Sequence, residues 1–217
     1  MMPSDHQCAA DQVVRADNLV RLKDFIDVEM ADRLVAWAMN MRPHLTKNGP
    51  SRTFSKVQRL PRVPPLFRKV RFRLQQCLGL PDDIQPEPMF GWYLSVISEG
   101  GAVHTHLDAA PEGMRHLRCN LFVQLPETGG YPIIEETVTP VDERMILAFF
   151  PNERRHSCEA VEGERSRIIC SFGYLVDKAY ALPSAEALTQ ALSSPWPEAP
   201  PPPGGPRPDR APPRLEA

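Results

Sequence analysis

The segment Gly100-Gly101-Ala102-Val103-His104-Thr105-His106-Leu107-Asp108 places a Gly-Gly turn directly before a short β-prone run that closes on a histidine and an acid two positions apart. Side chains at i and i+2 of a strand project to one face. His106 and Asp108 are therefore expected side by side at the end of a strand over 102–107. His156 opens a later β-prone segment, and Arg167 follows it by 11 residues. Two imidazoles and a carboxylate converging from separate strands form a facial ligand set that suits Fe(II) and leaves about three octahedral positions open. His104 shares the expected face, so a His104/His106/His156 set of zinc or cupin type is the alternative. The His106/Asp108/His156 set is preferred because it keeps the carboxylate.

Outward from this point the chain reads as β. Expected strands cover 89–97, 102–107, 117–125, 131–135, 137–141, 145–150, 156–161 and 167–176, with turns at Glu99-Gly100-Gly101, Thr128-Gly129-Gly130 and Glu162-Gly163. Eight short strands with regular turn signals predict a mainly β domain with flanking helices, built on a double-sheet jelly roll. Before them, Met30, Leu34, Trp37, Ala38 and Met41 recur at helical spacing behind Asp27, a suitable N-cap, which predicts a helix over 28–41. A second helix starts at Pro64-Pro65, carries Leu66, Val70, Leu74 and Leu78 on one stripe, and ends at Gly79. A short strand is expected over 19–23. Residues 42–62 read as a long loop with one short strand near 54–57, and loops of that length often bind or cover a site. The organisation expected is a flexible leader over 1–16, one domain over 17–180, a short helix within 181–194 with Ser184 as N-cap, and a disordered tail over 195–217. That tail holds 10 of the 25 prolines, too many for a core or a regular ladder.

At 217 residues the chain is long enough for one well-cored domain. A net charge of −2 argues against a dedicated nucleic-acid or membrane-surface binder, and no apolar run approaches the ~20 residues of a membrane span. Cys8, Cys77, Cys119, Cys158 and Cys170 are odd in number and include no CxxC pair. They read as reduced, mostly buried thiols of a cytoplasmic protein. The polar first residues carry no secretory h-region. No GxSxG elbow, Walker loop or dinucleotide fingerprint is present. Between Arg33 and Pro81 there are 11 Lys or Arg and no Asp or Glu, either a solvated helix face or an entrance that attracts an anionic partner. Phe54, Phe67 and Phe72 in this region suggest no stacking platform.

His106-Leu107-Asp108, Gly129-Gly130, the apolar run 145–150, and His156 through Arg167 to Tyr174 together resemble the Fe(II)/2-oxoglutarate-dependent dioxygenases, in particular their prolyl-hydroxylase-like branch. The resemblance spans about residues 18–178 in layout, and only the metal and arginine motifs are specific. It implies a double-stranded β-helix that uses Fe(II), 2-oxoglutarate and O2, with ascorbate as an accessory reductant. It also implies hydroxylation of an unactivated C–H bond of a small molecule or of an amino-acid or peptidyl substrate, releasing succinate and CO2. By position Arg167 corresponds to the residue that grips the C5 carboxylate, with Arg165 as competitor and Ser171 as hydroxyl partner. Asn120 and Tyr93 are candidate donors to the cosubstrate. The chain departs from the branch over 109–118, where Arg115 and Arg118, with His104, are expected near a substrate entrance; anionic or carrier-bound substrates suit the basic segment. A cupin-like metalloenzyme that does not use 2-oxoglutarate and a non-catalytic jelly-roll binding module are the competing readings.

Overall fold

The computed structural model describes residues 12–16 and 18–196. Two antiparallel sheets face each other. The large one runs in the order β1 (Val13–Ala16), β2 (Leu19–Leu22), β11 (Ile146–Phe149), β7 (Met114–Gln124), β14 (Arg167–Asp177), β5 (Trp92–Ile97), β4 (Arg52–Lys56), β3 (Thr46–Lys47). The small one runs β10 (Thr137–Val138), β9 (Pro132–Ile134), β12 (His156–Cys158), β6 (Val103–His106). β8 (Thr128–Gly129) and β13 (Val161–Glu162) pair separately. This is the jelly-roll arrangement expected from the strand pattern.

Period-2 alternation sorts the large sheet into two faces. On β14, Ile168, Cys170, Phe172 and Tyr174 join the cluster beneath the helices, as do Leu117, Cys119, Leu121 and Val123 of β7. The intervening Ile169 and Phe122 turn the other way, toward Ile134, Met145, Leu147 and Phe149 between the sheets. Arg167 has the same parity as Ile169, so a guanidinium is directed into the space between the sheets. The helices α1 (Val28–Met41) and α2 (Pro65–Cys77) cover the outer face. Asp27 caps α1 by accepting from the Met30 N–H at 2.7 Å, and Ala31, Leu34, Trp37, Ala38 and Met41 are its buried stripe. α2 buries Leu66, Val70 and Leu74 and closes through Leu78 to Gly79, which adopts φ +62°.

Several expectations change. Val13–Ala16 of the supposed leader is an edge strand paired with β2, as its β-branched residues permit. The short strand expected near 54–57 within the 42–62 loop is β4, set two residues earlier, and it hairpins with the unexpected β3 to extend the sheet beyond β5. The two exposed residues of β3, Thr46 and Lys47, are too few to show a pattern. The expected strand 156–161 is divided, because β12 pairs with β6 and β9 whereas β13 pairs with β8. Gly129 is essential at that divide: at φ +67° a Cβ would run into the Ala160 carbonyl. Pro195 and Trp196 belong to the fold and not to the tail. Buried Arg73 donates to the carbonyls of Leu192, Ser194 and Pro195 at the end of α3 (Ala185–Ser193), and Trp196 meets Phe25 edge-on. The expectations for 1–11 and 197–217, Cys8 included, lie outside the described residues. Cys77, Cys119, Cys158 and Cys170 are free and buried. No described helix is long and apolar enough to cross a membrane.

Candidate metal centre

His106 is the last residue of β6 and stands directly opposite His156, the first of β12. Their ring centroids are 4.2 Å apart. Asp108 lies just beyond the strand end, not on it: its N–H leaves the ladder and donates to the Pro151 carbonyl at 3.0 Å. That turn still returns the carboxylate to the histidines, with Oδ1 3.5 Å from His106 Nε2. One ligand atom from each of His106, Asp108 and His156 lies within 4.8 Å of the others. His104 is not part of this set; it is exposed and contributes its backbone carbonyl instead.

The orientation of both rings is fixed from behind. His106 Nδ1 is 2.7 Å from the His104 carbonyl and His156 Nδ1 is 3.1 Å from the Arg154 carbonyl. A carbonyl only accepts, so each Nδ1 carries the proton and each Nε2 keeps its lone pair for a metal. Asp108 is similarly divided. Its Oδ2 lies 3.5 Å from Arg118 Nη2 and 3.3 Å from His116 Nδ1, which leaves Oδ1 toward the histidines. Burial alone would raise the Asp108 carboxyl, but without a metal the facing His106 imidazole, once protonated at Nε2, and the charge of Arg118 outweigh it and hold the group at about 2. His106 is raised, chiefly by the Asp108 carboxylate that faces its Nε2. His156 is lowered by burial and by His106.

Behind Asp108 lies a charge network that the sequence did not reveal. Glu87 accepts from the backbone N–H groups of Met89, Phe90 and Gly91 and sits 3.5 Å from Arg118 Nη2. Arg118 also donates to the Gly91 carbonyl at 3.1 Å. Gly173 makes room for it, since a Cβ there would lie 2.7 Å from Arg118 Nη1. Burial and the Arg118 charge lower His116 to about 4. Glu87 sits between two prolines with no periodic signal. Only the structure exposes its part.

The centre opens into a cavity of about 130 Å³ between the sheets, bordered by the three candidate ligands, Arg167, Tyr93, Asn120 and Ser95. Arg167 is 4% exposed, and its Nε has no hydrogen-bond partner. No carboxylate among the described residues pairs with it. Its Cζ lies over the Phe122 ring, 5.2 Å from the centroid. Ser95 Oγ, also buried and without a partner, belongs to β5, on which Ser95 faces Ile169 and Ile97 faces Arg167. Ser95 thus lies diagonally across from Arg167 on one face. The alternation from Tyr93 to Ser95 was the signal that could have found it. Arg165 is on the surface, 2.7 Å from Glu143.

Three expected residues take other positions. Ser171 faces inward but does not reach the cavity, because its hydroxyl donates to Asn120 Oδ1 at 2.7 Å and is covered by Asn120 and Arg118. Arg115 is not at an entrance: it grips Glu153 with two bonds of 2.7 Å, donates to the Tyr180 carbonyl, and stacks on Phe150. Arg118 lines the cavity floor but is 4% exposed and engaged with Glu87 and Asp108.

No protein-family model matches this chain, and no curated protein sequence matches it. Solved structures do. A Pseudomonas putida prolyl-4-hydroxylase superposes with a TM-score of 0.55 at 13% identity over 80% of this chain and 100% of that one. The epimerase SnoN, solved with Fe3+, alpha ketoglutarate and nogalamycin RO, gives 0.58 at 14% identity over 85% and 88%. A Trichoplax adhaerens prolyl hydroxylase in complex with a hypoxia inducible factor peptide gives 0.54 at 12% over 87% and 92%. The shared fold is that of 2-oxoglutarate/Fe(II)-dependent oxygenases. The expected double-stranded β-helix is therefore the one observed. At these identities the likeness is one of fold, and the site must be judged on its own residues.

Proposed function

We propose that this protein is an Fe(II)- and 2-oxoglutarate-dependent oxygenase that hydroxylates a C–H bond of its substrate, with release of succinate and CO2. The observation that carries the reading is Arg167, a buried guanidinium with no carboxylate partner among the described residues, facing the same cavity as a two-histidine, one-carboxylate set. A buried cation without compensation is costly. A dicarboxylate cosubstrate supplies the missing anion.

His106 and His156 through Nε2, and Asp108 through Oδ1, would hold the iron. Arg167 and the Ser95 hydroxyl would hold the distal carboxylate of 2-oxoglutarate. Guanidinium suits this task because its parallel N–H groups match a carboxylate. Once bound, the iron and the keto acid supply oxidative chemistry that no side chain here can perform. The protein contributes orientation: backbone carbonyls fix both imidazoles, Arg118 fixes the carboxylate, and the apolar walls Ile134, Phe149 and Ile169 keep water from the reacting atoms.

Anaerobic addition of 2-oxoglutarate to the Fe(II)-loaded protein is expected to produce a visible charge-transfer band. Iron binding without any such band would remove the cosubstrate from the reading and leave a metalloprotein of another kind. Oxygen-dependent succinate release, followed by mass analysis of the product for one added oxygen, separates hydroxylation from other oxidative outcomes.

A further inference from the structure

Arg52 is the second cavity-lining cation with no anionic partner among the described residues. Of the 11 basic residues between Arg33 and Pro81, it is the one that borders the metal cavity. Others in that run are engaged elsewhere: Arg42 on Ser98, Lys56 on the Pro88 carbonyl, Arg73 on the end of α3. Arg52 forms neither a salt bridge nor a side-chain hydrogen bond among the described residues, and its Nε is buried without an acceptor. Its guanidinium lies over the Phe54 ring, 5.2 Å from the centroid. Across the sheet, Arg52 and Arg167 both stand opposite Ile97, one on each side of it. Two strand spacings, about 10 Å, separate their backbones on one face. Arg167 is sealed in, whereas Arg52 is half-buried and contributes to the field at His106, the most exposed of the three ligands.

Charge balance shows what Arg52 awaits. The cavity is lined by three guanidiniums, Arg52, Arg118 and Arg167, and by one carboxylate, Asp108. Glu87 adds one negative charge beside Arg118. One positive charge therefore remains. Loading Fe(II) together with doubly charged 2-oxoglutarate adds equal positive and negative charge and leaves that excess in place. Beside Arg52 the wall is aromatic: Phe54, Phe90 and Tyr93 stand edge to face at centroid distances of 6.0 to 6.4 Å, and all three line the cavity. This cluster is the platform that Phe54, Phe67 and Phe72 did not suggest in sequence.

Resting on the oxygenase reading, we infer that the substrate is an organic anion with an apolar body, its carboxylate held by Arg52 and its body laid against Phe54, Phe90 and Tyr93. A carboxylate anchored beside His106 brings the carbons next to it toward the metal face, so the oxidised position lies close to the acid group.

The test compares 3-phenylpropanoate with 3-phenylpropanamide, a pair that differs in charge and not in shape. Binding of each to the full chain loaded with Zn(II) and saturating 2-oxoglutarate is measured by calorimetry, which needs no turnover. The wild type is expected to prefer the acid about 10-fold or more, the scale of one charge-assisted hydrogen-bonded pair. Arg52→Gln should abolish that preference while leaving 2-oxoglutarate affinity unchanged, Arg52→Lys should retain part of it, and Phe54→Ala should weaken acid and amide alike. Equal binding of acid and amide by the wild type, or binding of neither, overturns the inference. Loss of 2-oxoglutarate affinity in Arg52→Gln as large as in Arg167→Gln also overturns it and assigns Arg52 to the cosubstrate. Absence of 2-oxoglutarate binding in the wild type is a different result, since it removes the oxygenase reading itself.

Discussion

Arg118 and Arg167 are equally buried, at 4% exposed each, and border the same cavity, yet their surroundings are opposite in kind. Arg118 has two carboxylates, Glu87 and Asp108, each 3.5 Å from Nη2, and a backbone carbonyl on Nη1. Among the described residues Arg167 has no carboxylate partner and its Nε has no acceptor. Burial lowers the Arg167 guanidinium from its ordinary value, the sign of a charge that is poorly compensated. On the proposed reading, the cation with its anions present serves the fold and the carboxylate it orients, and the cation whose anion is missing receives one from the cosubstrate. Burial and charge are the same at both; only the partners differ.

The comparison predicts opposite responses to the same substitution. Arg118→Met should destabilise the protein without metal by about 3–5 kcal/mol, because Glu87 and Asp108 lose the buried cation they share. Arg167→Met should leave stability unchanged or raise it, since it removes an uncompensated charge. Urea unfolding of the two variants decides this, and an Arg167→Met loss as large as that of Arg118→Met would break the contrast.

Function should reverse the order. Arg167→Met is expected to weaken 2-oxoglutarate binding about 100-fold, near 2.7 kcal/mol, while metal affinity stays within a few-fold. The charge-transfer titration and a separate metal titration measure the two. A parallel loss of both would mean that Arg167 supports the metal ligands and not the cosubstrate.

Glu87 sharpens the other side. Burial pushes its carboxyl up, but the Phe90, Met89 and Gly91 N–H groups and the nearby His116 more than offset this, so it lies below the ordinary glutamate value. A carboxyl depressed in the folded state contributes stability above its unfolded pKa and loses that contribution as pH falls through the folded pKa. Glu87→Gln should therefore cost about 1–3 kcal/mol near neutral pH, and the difference from wild type should shrink as the pH falls below the ordinary glutamate range. Urea melts across that range test it, and a constant difference would show that Glu87 acts through shape alone.

How much of this could be read from the chain follows the same division. The strands around the site were legible because Ile168, Cys170, Phe172 and Tyr174 alternate with inward residues, and the helix over 28–41 because Asp27 and its apolar stripe agree. The convergence of the candidate metal ligands was legible as a His106/Asp108 pair with a distant His156, although Asp108 reaches its place from a turn and not from the strand. Arg115 and Arg118 looked like entrance residues because a basic loop after metal ligands gives no hint of which acids it will meet. Glu153 and Glu87, distant in sequence, are those acids. Ser171 was placed on the correct face, but the face alone did not reveal that Asn120 would take its hydroxyl. Partners supplied by long-range packing stay hidden, and at this site the partners decide the role.

Arg165 provides the smallest effect and the control. It shares with Arg167 its charge and its expected strand face, so a reading based on either property treats the two alike. Yet Arg165 is half-exposed and paired with Glu143 at 2.7 Å on the surface. Exposed pairs of this kind contribute about 0–1 kcal/mol. Arg165→Ala should change unfolding free energy by no more than that and should leave 2-oxoglutarate affinity at the wild-type value. A cosubstrate defect in Arg165→Ala comparable to that of Arg167→Met would mean that the strand shifts by two residues when the ligand binds, and the assignment of the carboxylate grip would move with it.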